Sequence, residues 1–501
     1  MFSNSLLHTA YNEKRSKFMS GRVLGGSSVL HSMLYLRGDQ EIYNKWRDMG
    51  NPGWDYNNVL HYFKKAENNT NKGLTKSHFH GVNGPLTVSD LKFKSKLAKS
   101  FLDGGMELGY NVTDLNGANA EGFMTQQVTI RDGRRCSAAK AYLRPIRNRT
   151  NLHITMGSTA HRILIDRKTK IVQGVQFERN GKKYVAYARK EVILSAGTLN
   201  SPKILMLSGI GATEELNKFH IPVVHELPNV GKNLIDHVAF HKLIFTLNES
   251  DPSFNIDSYD YNDAISYAKD GNGKLTAANQ IEGLALIKSK YAANNVSDIL
   301  LTLSSYKSIT EGGEGDINKQ FYDQVFGPFT QANTFSIEAT VVQPRSTGFV
   351  QLRSGNVYDA PIINPKYLSN EMDVKILIQG VRAAVRLAKT KAFRKYGTEF
   401  HNVVYPACKS IAEDIDLFWE CTLRQLTSVF YHITSTCKMG PNSTDYVVDH
   451  RLTVHGIQGL RVIDASVMPT IPNANIYAAT LMIAEKGADL IKEDFKVGKY
   501  I

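Results

Sequence analysis

The sequence predicts a protein of mixed helices and strands, on three observations. Residues Gly21–Gly38 (GRVLGGSSVLHSMLYLRG) join a glycine pair and two serines to an apolar run. That is the pattern of a loop that approaches an oxyanion and then enters a helix, with Gly25 and Gly26 for the tight turn and Ser27 and Ser28 as caps. Glu191–Ser195 is a short apolar strand that runs straight into Ala196-Gly197 and the helix-forming SPKILMLSGIG. From Thr340 strands resume (ATVVQPRSTGFVQLRS), and a long amphipathic helix follows around EMDVKILIQGVRAAVRLAKT.

Taken in order, EIYNKWRDMGNPGWDYNNVLHYFKKAEN reads as two short helices around Asn51-Pro52-Gly53, with Asp55 capping the second. Between Leu152 and Leu194 the segments NLHITMG, HRILID, VQGVQFERNGKKYVAYA and KEVILSAG predict strands, with a hairpin at Asn180-Gly181. In SPKILMLSGIG, Ser201 is the expected helix cap, Pro202 the first turn and Gly209 the end. Residues 250–335 carry the weakest signal, and EGGEGD (Glu311–Asp316) reads as a loop.

The 501 residues are 42% hydrophobic and 21% charged, the composition of a folded globular chain. The net charge of +13 is spread along the sequence without a groove-reading motif, so nucleic acid is not an expected partner. No apolar run is long enough to predict an integral membrane span. Cys136, Cys408, Cys421 and Cys437 lie too far apart for a CxxC site and neither demand nor exclude disulfides. His78 and His80 lack further ligands in sequence and read as loop residues, so no metal site is expected. The absence of G-x-S-x-G argues against a serine hydrolase.

Six motifs then occur in register: GRVLGGSSVLHSMLYLRG, GTLNSPKILMLSGIG, LPNVGKNLIDH, FYHITSTCKMGP, LRVIDASVMPT and PNANIYAATLMIAEKGADLI. With them the chain resembles the glucose–methanol–choline (GMC) oxidoreductases, in particular their insect glucose-dehydrogenase-like branch. The resemblance implies an α/β fold with an α+β substrate domain: a Rossmann-like FAD domain joined to a substrate domain on an antiparallel sheet. It divides the chain into an FAD-binding region with substrate-domain insertions (1–240), a variable substrate-domain segment (241–335) and a C-terminal region that returns to the FAD domain (336–495). The implied activity is FAD-dependent oxidation of an alcohol or sugar, with a quinone-like acceptor or oxygen as electron partner.

On this resemblance His432, in FYHITSTCKMGP, falls on the base position and Asn475, in PNANIYAA, on the partner that holds the substrate oxygen. The proton would pass to His432 and the hydride to flavin N5. Gly25, Gly26, Ser27 and Ser28 would lie along the flavin and pyrophosphate, with His31 beside them where the family usually has Asn. Ala160 would meet the adenine, and Gly197, Thr198, Asp464, Ala465 and Asn473 fall on further cofactor positions. The family's occasional flavin-linking histidine would fall on Leu30, which forms no such bond, so noncovalent FAD is expected.

Several features depart from the pattern. A strand–GxGxxG–helix unit with its ribose-binding acid needs roughly thirty residues. Only twenty precede Gly21, and the fingerprint occurs nowhere else. The ADP half of the site is therefore expected to be absent, through an incomplete sequence or a shortened paralogue, and this polypeptide is expected to fold poorly. Ser435 replaces the glycine of His-x-x-Gly-Thr, and Tyr477 replaces an asparagine where its bulk would crowd the flavin. A catalytically dead binding protein and a lyase on the same scaffold are the alternative readings. Secretion is expected only if an upstream segment carries a signal peptide.

Overall fold

Period-two alternation along Thr334–Val341 gives this strand two chemically different faces: Phe335, Ile337, Ala339 and Val341 on one, Thr334, Ser336, Glu338 and Thr340 on the other. The computed structural model, which describes residues 9–248, 260–277, 280–305, 317–411 and 415–496, places this strand inside an eight-stranded antiparallel sheet. The sheet order is Glu399–His401, Ile244–Thr246, Thr334–Val341, Ile299–Ser304, Ile281–Ile287 and Gly122–Thr125. Val238–Phe240 also pairs with Thr334–Val341, and with Ser428–Val429 on its other side.

The apolar face of this sheet packs on the helix Glu371–Ala388, whose buried stripe includes Val374, Leu377, Val381, Ala384 and Leu387. Gly380 permits the close approach: a Cβ there would lie 3.1 Å from Ala339 Cβ and 3.3 Å from Ile299 Cγ2. The opposite face carries a smaller cluster of Leu284, Leu286, Leu300 and Val342 packed with Leu34 and Ala474.

A second core unites the helices Gln40–Asp48, Tyr56–Ala66, Gly197–Leu207 and Tyr477–Lys496 with the parallel pair Val192–Leu194 and Leu460–Val462. Beside it lies the antiparallel sheet Ser158–Ile165, Val172–Arg179 and Lys182–Tyr187. Its hairpin turns at Asn180 (φ 50°) and Gly181 (φ 74°), the two left-handed residues that an Asn-Gly turn supplies. The α/β class with an antiparallel substrate-type sheet is thus as the sequence predicts, and two further short parallel pairs, Glu67–Asn69 with Leu86–Asp90 and Ile210–Gly211 with His225–Glu226, occur among the described residues.

Three local expectations are corrected. Gly26–Val29 forms only a 3-10 turn, and neither serine caps a helix. Ser28 Oγ donates to Gly25 O and accepts from Ala138 N, and Met33 (φ 64°) breaks the helical path. NLHITMG is not a strand, because no neighbour pairs with it, and Ile154 and Met156 are exposed. The helix after Glu191–Ser195 starts at Gly197, so Ser201 and Pro202 lie inside it. The start is set from a distant segment: Asp464 Oδ2 accepts from Gly197 N at 2.9 Å and from Ser201 Oγ. The predicted EGGEGD loop lies outside the described residues.

Candidate active site

Two loops meet at His432. The first, Leu227–His237, ends on Asp236 and His237 immediately before the strand Val238–Phe240. The second leaves the strand Ser428–Val429 and carries His432 between two left-handed residues, Tyr431 (φ 60°) and Ser435 (φ 74°). Asp236 joins them: its Oδ1 accepts from the His432 backbone N at 2.7 Å, and its Oδ2 accepts from Tyr367 OH.

Hydrogen bonds fix the protonation of the histidine pair. His237 Nε2 lies 3.0 Å from Pro472 O, which can only accept, so the His237 proton sits on Nε2. His237 Nδ1 is then an acceptor, and the 2.9 Å contact with His432 Nδ1 requires His432 to donate. The lone pair of His432 is therefore on Nε2, 3.3 Å from the amide nitrogen of Asn475. Burial pushes the pKa of His432 well below 6.5 and that of His237 to about 3, so both rings are neutral at neutral pH. Burial raises Asp236 to about 7.

The other predicted residues surround this pair unevenly. His31 Nδ1 accepts from Met33 N at 2.9 Å, which places its proton on Nε2, a buried atom without a protein partner. Its ring packs on Tyr477 at 4.5 Å, and burial with nearby Arg135 lowers its pKa to about 4. Arg135 holds the loop by bonding the carbonyls of Ser28 and His31. Gly25 and Gly26 are both left-handed, at φ 94° and 56°, and Ser27 Oγ accepts from Gly21 N.

Pro202 has a specific consequence here. Lacking N–H, it cannot bond the carbonyl of Thr198 four residues earlier, and Thr436 Oγ1 donates to that oxygen instead at 2.7 Å. Thr198 Oγ1 in turn donates to Ile433 O, so the helix start grips the His432 loop from both sides. Asp464 uses its second oxygen on Ser466 N, and Ala465 O accepts from Ser435 N. Asn473 is fully buried and ties the loops together, accepting from Asp39 N and donating to Ser297 O. Ala160 lies on the half-buried strand Ser158–Ile165, which Arg22 links to the first loop through Thr159 Oγ1.

Sequence reasoning missed Asp236 and His237, although the motif LPNVGKNLIDH ends on them; only their partner across the fold reveals the role. His80 lies outside helices and strands, as the sequence predicts, but it is not a free surface residue. His80 is buried, bonded to Glu67 Oε1 at 2.9 Å and Asp114 Oδ2 at 2.8 Å, and these carboxylates raise its pKa against burial. No His/Cys/Asp/Glu grouping suited to a metal occurs among the described residues.

Comparison with known proteins agrees with this architecture. The N-terminal GMC oxidoreductase domain profile matches residues 1–239 and the C-terminal one residues 344–484. The chain belongs to the GMC oxidoreductase family. It is 39% identical to glucose dehydrogenase [FAD, quinone] of Drosophila melanogaster over 96% of this chain and 75% of that protein. To mitochondrial choline dehydrogenase of Homo sapiens it is 36% identical over 94% of this chain and 75% of that one. Among solved structures, pyridoxine 4-oxidase from Mesorbium loti superposes with a TM-score of 0.80 at 25% identity, covering 97% of this chain and 88% of that one.

Proposed function

We propose that this chain oxidises the CH–OH group of an alcohol or sugar, with His432 as the base and noncovalent FAD as cofactor. One observation carries the reading: the hydrogen-bond chain Pro472–His237–His432 leaves an unprotonated Nε2 beside Asn475. The residues fit a flavin. His31 Nε2 and Asn475 Oδ1 are buried polar atoms without protein partners, and a Cβ built on Gly26 or Gly197 would meet nothing within 4 Å. Leu30 is exposed and offers no nucleophile for a covalent link. A bound FAD would supply the hydride acceptor for the carbinol carbon.

The protein's own part is proton management. His432 Nε2 removes the hydroxyl proton, and its Nδ1–H remains committed to His237, so the ring cannot turn. Asn475 Nδ2, held 3.3 Å from that nitrogen, is placed to donate to the same substrate oxygen as it gains charge. The acceptor that regenerates the enzyme is a quinone-like carrier, a reading supported by the printed name of the Drosophila relative. The Cys408–Cys421 disulfide supports an oxidising, extracellular setting. Among the described residues no helix is long and apolar enough to cross a membrane.

The test is anaerobic bleaching of the flavin band by an alcohol panel, with and without His432→Ala. The variant is expected to retain FAD and lose about 10²–10⁴ in kcat/KM. Wild-type rates in the variant would reject His432 as the base.

A further inference from the structure

The sheet core carries a cavity of about 160 Å³ that the site at His432 does not use. Phe123, Ile287 and Leu301 line it from the sheet, Ala383 from the helix Glu371–Ala388, and Leu108 from the turn after the helix Lys96–Glu107. Strand alternation separates it from the histidines. Phe123, Ile287 and Leu301 belong to the core on the helix side, whereas their chain neighbours Met124, Leu286 and Leu300 join the cluster of Ala474, next to Asn475. Two polar side chains complete the lining, Tyr110 and Arg386. Burial raises the pKa of Tyr110 and the charge of Arg386 lowers it, so the hydroxyl is a neutral donor within the field of the guanidinium. Among the described residues neither the Tyr110 hydroxyl nor the Arg386 guanidinium has a hydrogen-bond or ion-pair partner. The acids around them are committed elsewhere: Glu121 bonds Lys288 at 2.7 Å, Glu107 accepts from Lys391 N and Ala392 N, and Asp416 pairs with Arg382, one turn before Arg386.

We propose that this cavity binds a small aromatic carboxylate, its ring on the apolar walls and its carboxylate on Arg386 and Tyr110. The site is separate from the dehydrogenase centre and takes a ligand other than the substrate. Volume sets the size: a cavity of about 150 Å³ lined by Leu, Ile and Phe holds one benzene ring. Charge sets the head group. A planar guanidinium meets a carboxylate with two parallel hydrogen bonds, and the tyrosine hydroxyl is a further donor. Arg386 is exposed and Tyr110 half-buried, so the charged end stays wet at the mouth while the ring lies inside. An aromatic amine brings a like charge to Arg386, and a neutral arene leaves the guanidinium without a counter-charge. A dicarboxylate forces a second charge onto apolar walls.

The experiment titrates benzoate, benzamide and benzylamine into the FAD-loaded protein. Ligand-observed NMR reads the Kd, and absorbance follows the flavin band. Benzoate is expected to saturate one site with a Kd on the order of 1 mM and to leave the flavin band unchanged. Benzamide is expected to bind about tenfold more weakly, and benzylamine not to compete. Arg386→Gln weakens benzoate about tenfold and leaves benzamide as it was. Ala383→Leu fills the cavity and abolishes binding of both. Thermal midpoints show whether each variant is folded. Arg386 is exposed, so Arg386→Gln decides the proposal even where Ala383→Leu unfolds. Any one of four results overturns it: no saturation by about 10 mM benzoate, equal affinity for benzoate and benzamide, benzoate binding unchanged in Arg386→Gln or in a folded Ala383→Leu, or a flavin band that shifts in step with binding, which would place the ligand at the flavin instead.

Discussion

Ser435 occupies a left-handed conformation (φ 74°) that costs a residue with a Cβ about 1–2 kcal/mol, in a fully buried position. Its hydroxyl gives back one hydrogen bond, to Thr434 Oγ1 at 3.1 Å. Ser435→Gly removes the Cβ penalty and that bond together, so a net gain of about 1 kcal/mol in unfolding free energy is expected. Urea denaturation at pH 7 measures it, and a loss of stability would show that the hydroxyl outweighs the strain. Tyr477 illustrates a different local outcome. Expected to crowd the cofactor, it packs its ring on His31, which itself stands where the family pattern has asparagine. The two departures are neighbours in space.

At the scale of elements, the junction of the Asp236–His237 loop with the His432 loop governs pH behaviour. His237 and His432 have folded pKa values below the unfolded 6.5, so below that pH the unfolded chain binds more protons than the folded one. Their contribution to stability therefore rises with pH up to 6.5 and is flat above. Asp236 acts in the opposite sense: raised to about 7, it stabilises the fold at low pH, and that contribution is lost as pH climbs from about 4 to about 7. Asp236→Asn is expected to steepen the rise of stability between pH 4.5 and 6.5, and His237→Gln to flatten it. Urea midpoints at three pH values check both; equal slopes in the two variants would contradict the assignment. In catalysis, the same lowered His432 value moves the acid limb of kcat/KM well below pH 6.5.

For the whole molecule, two cores share one site. The sheet core supplies His237 through Val238–Phe240, and the helical core supplies Asn475 just before Tyr477–Lys496. Within the sheet core, Cys408–Cys421 fastens the 3-10 segment Pro406–Ile411 to the helix Ile415–Leu426. Closing a loop with a sequence separation of 13 is worth about 3 kcal/mol through the unfolded chain. Paired replacement Cys408→Ser with Cys421→Ser is expected to cost roughly that amount in denaturant unfolding. Intact mass with and without reduction tests the bond itself: alkylation of all four cysteines in the unreduced, denatured protein would refute it.

The sequence by itself determined what depends on neighbours in the chain. Asp55 caps its helix, Asn180-Gly181 turns its hairpin, and the long amphipathic stripe forms Glu371–Ala388, because each needs only local backbone geometry or a local period. The motifs also carried the family, and with it His432 and Asn475. Tertiary structure decided what depends on partners hundreds of residues away. Asp464 starts a helix at Gly197, Thr436 takes the carbonyl that Pro202 frees, and Pro472 fixes the His237 proton and through it the basic nitrogen of His432. Hydrogen bonds between distant segments leave no period in the sequence, so the tautomer that leaves the lone pair of His432 on Nε2 appears only once the chain is folded.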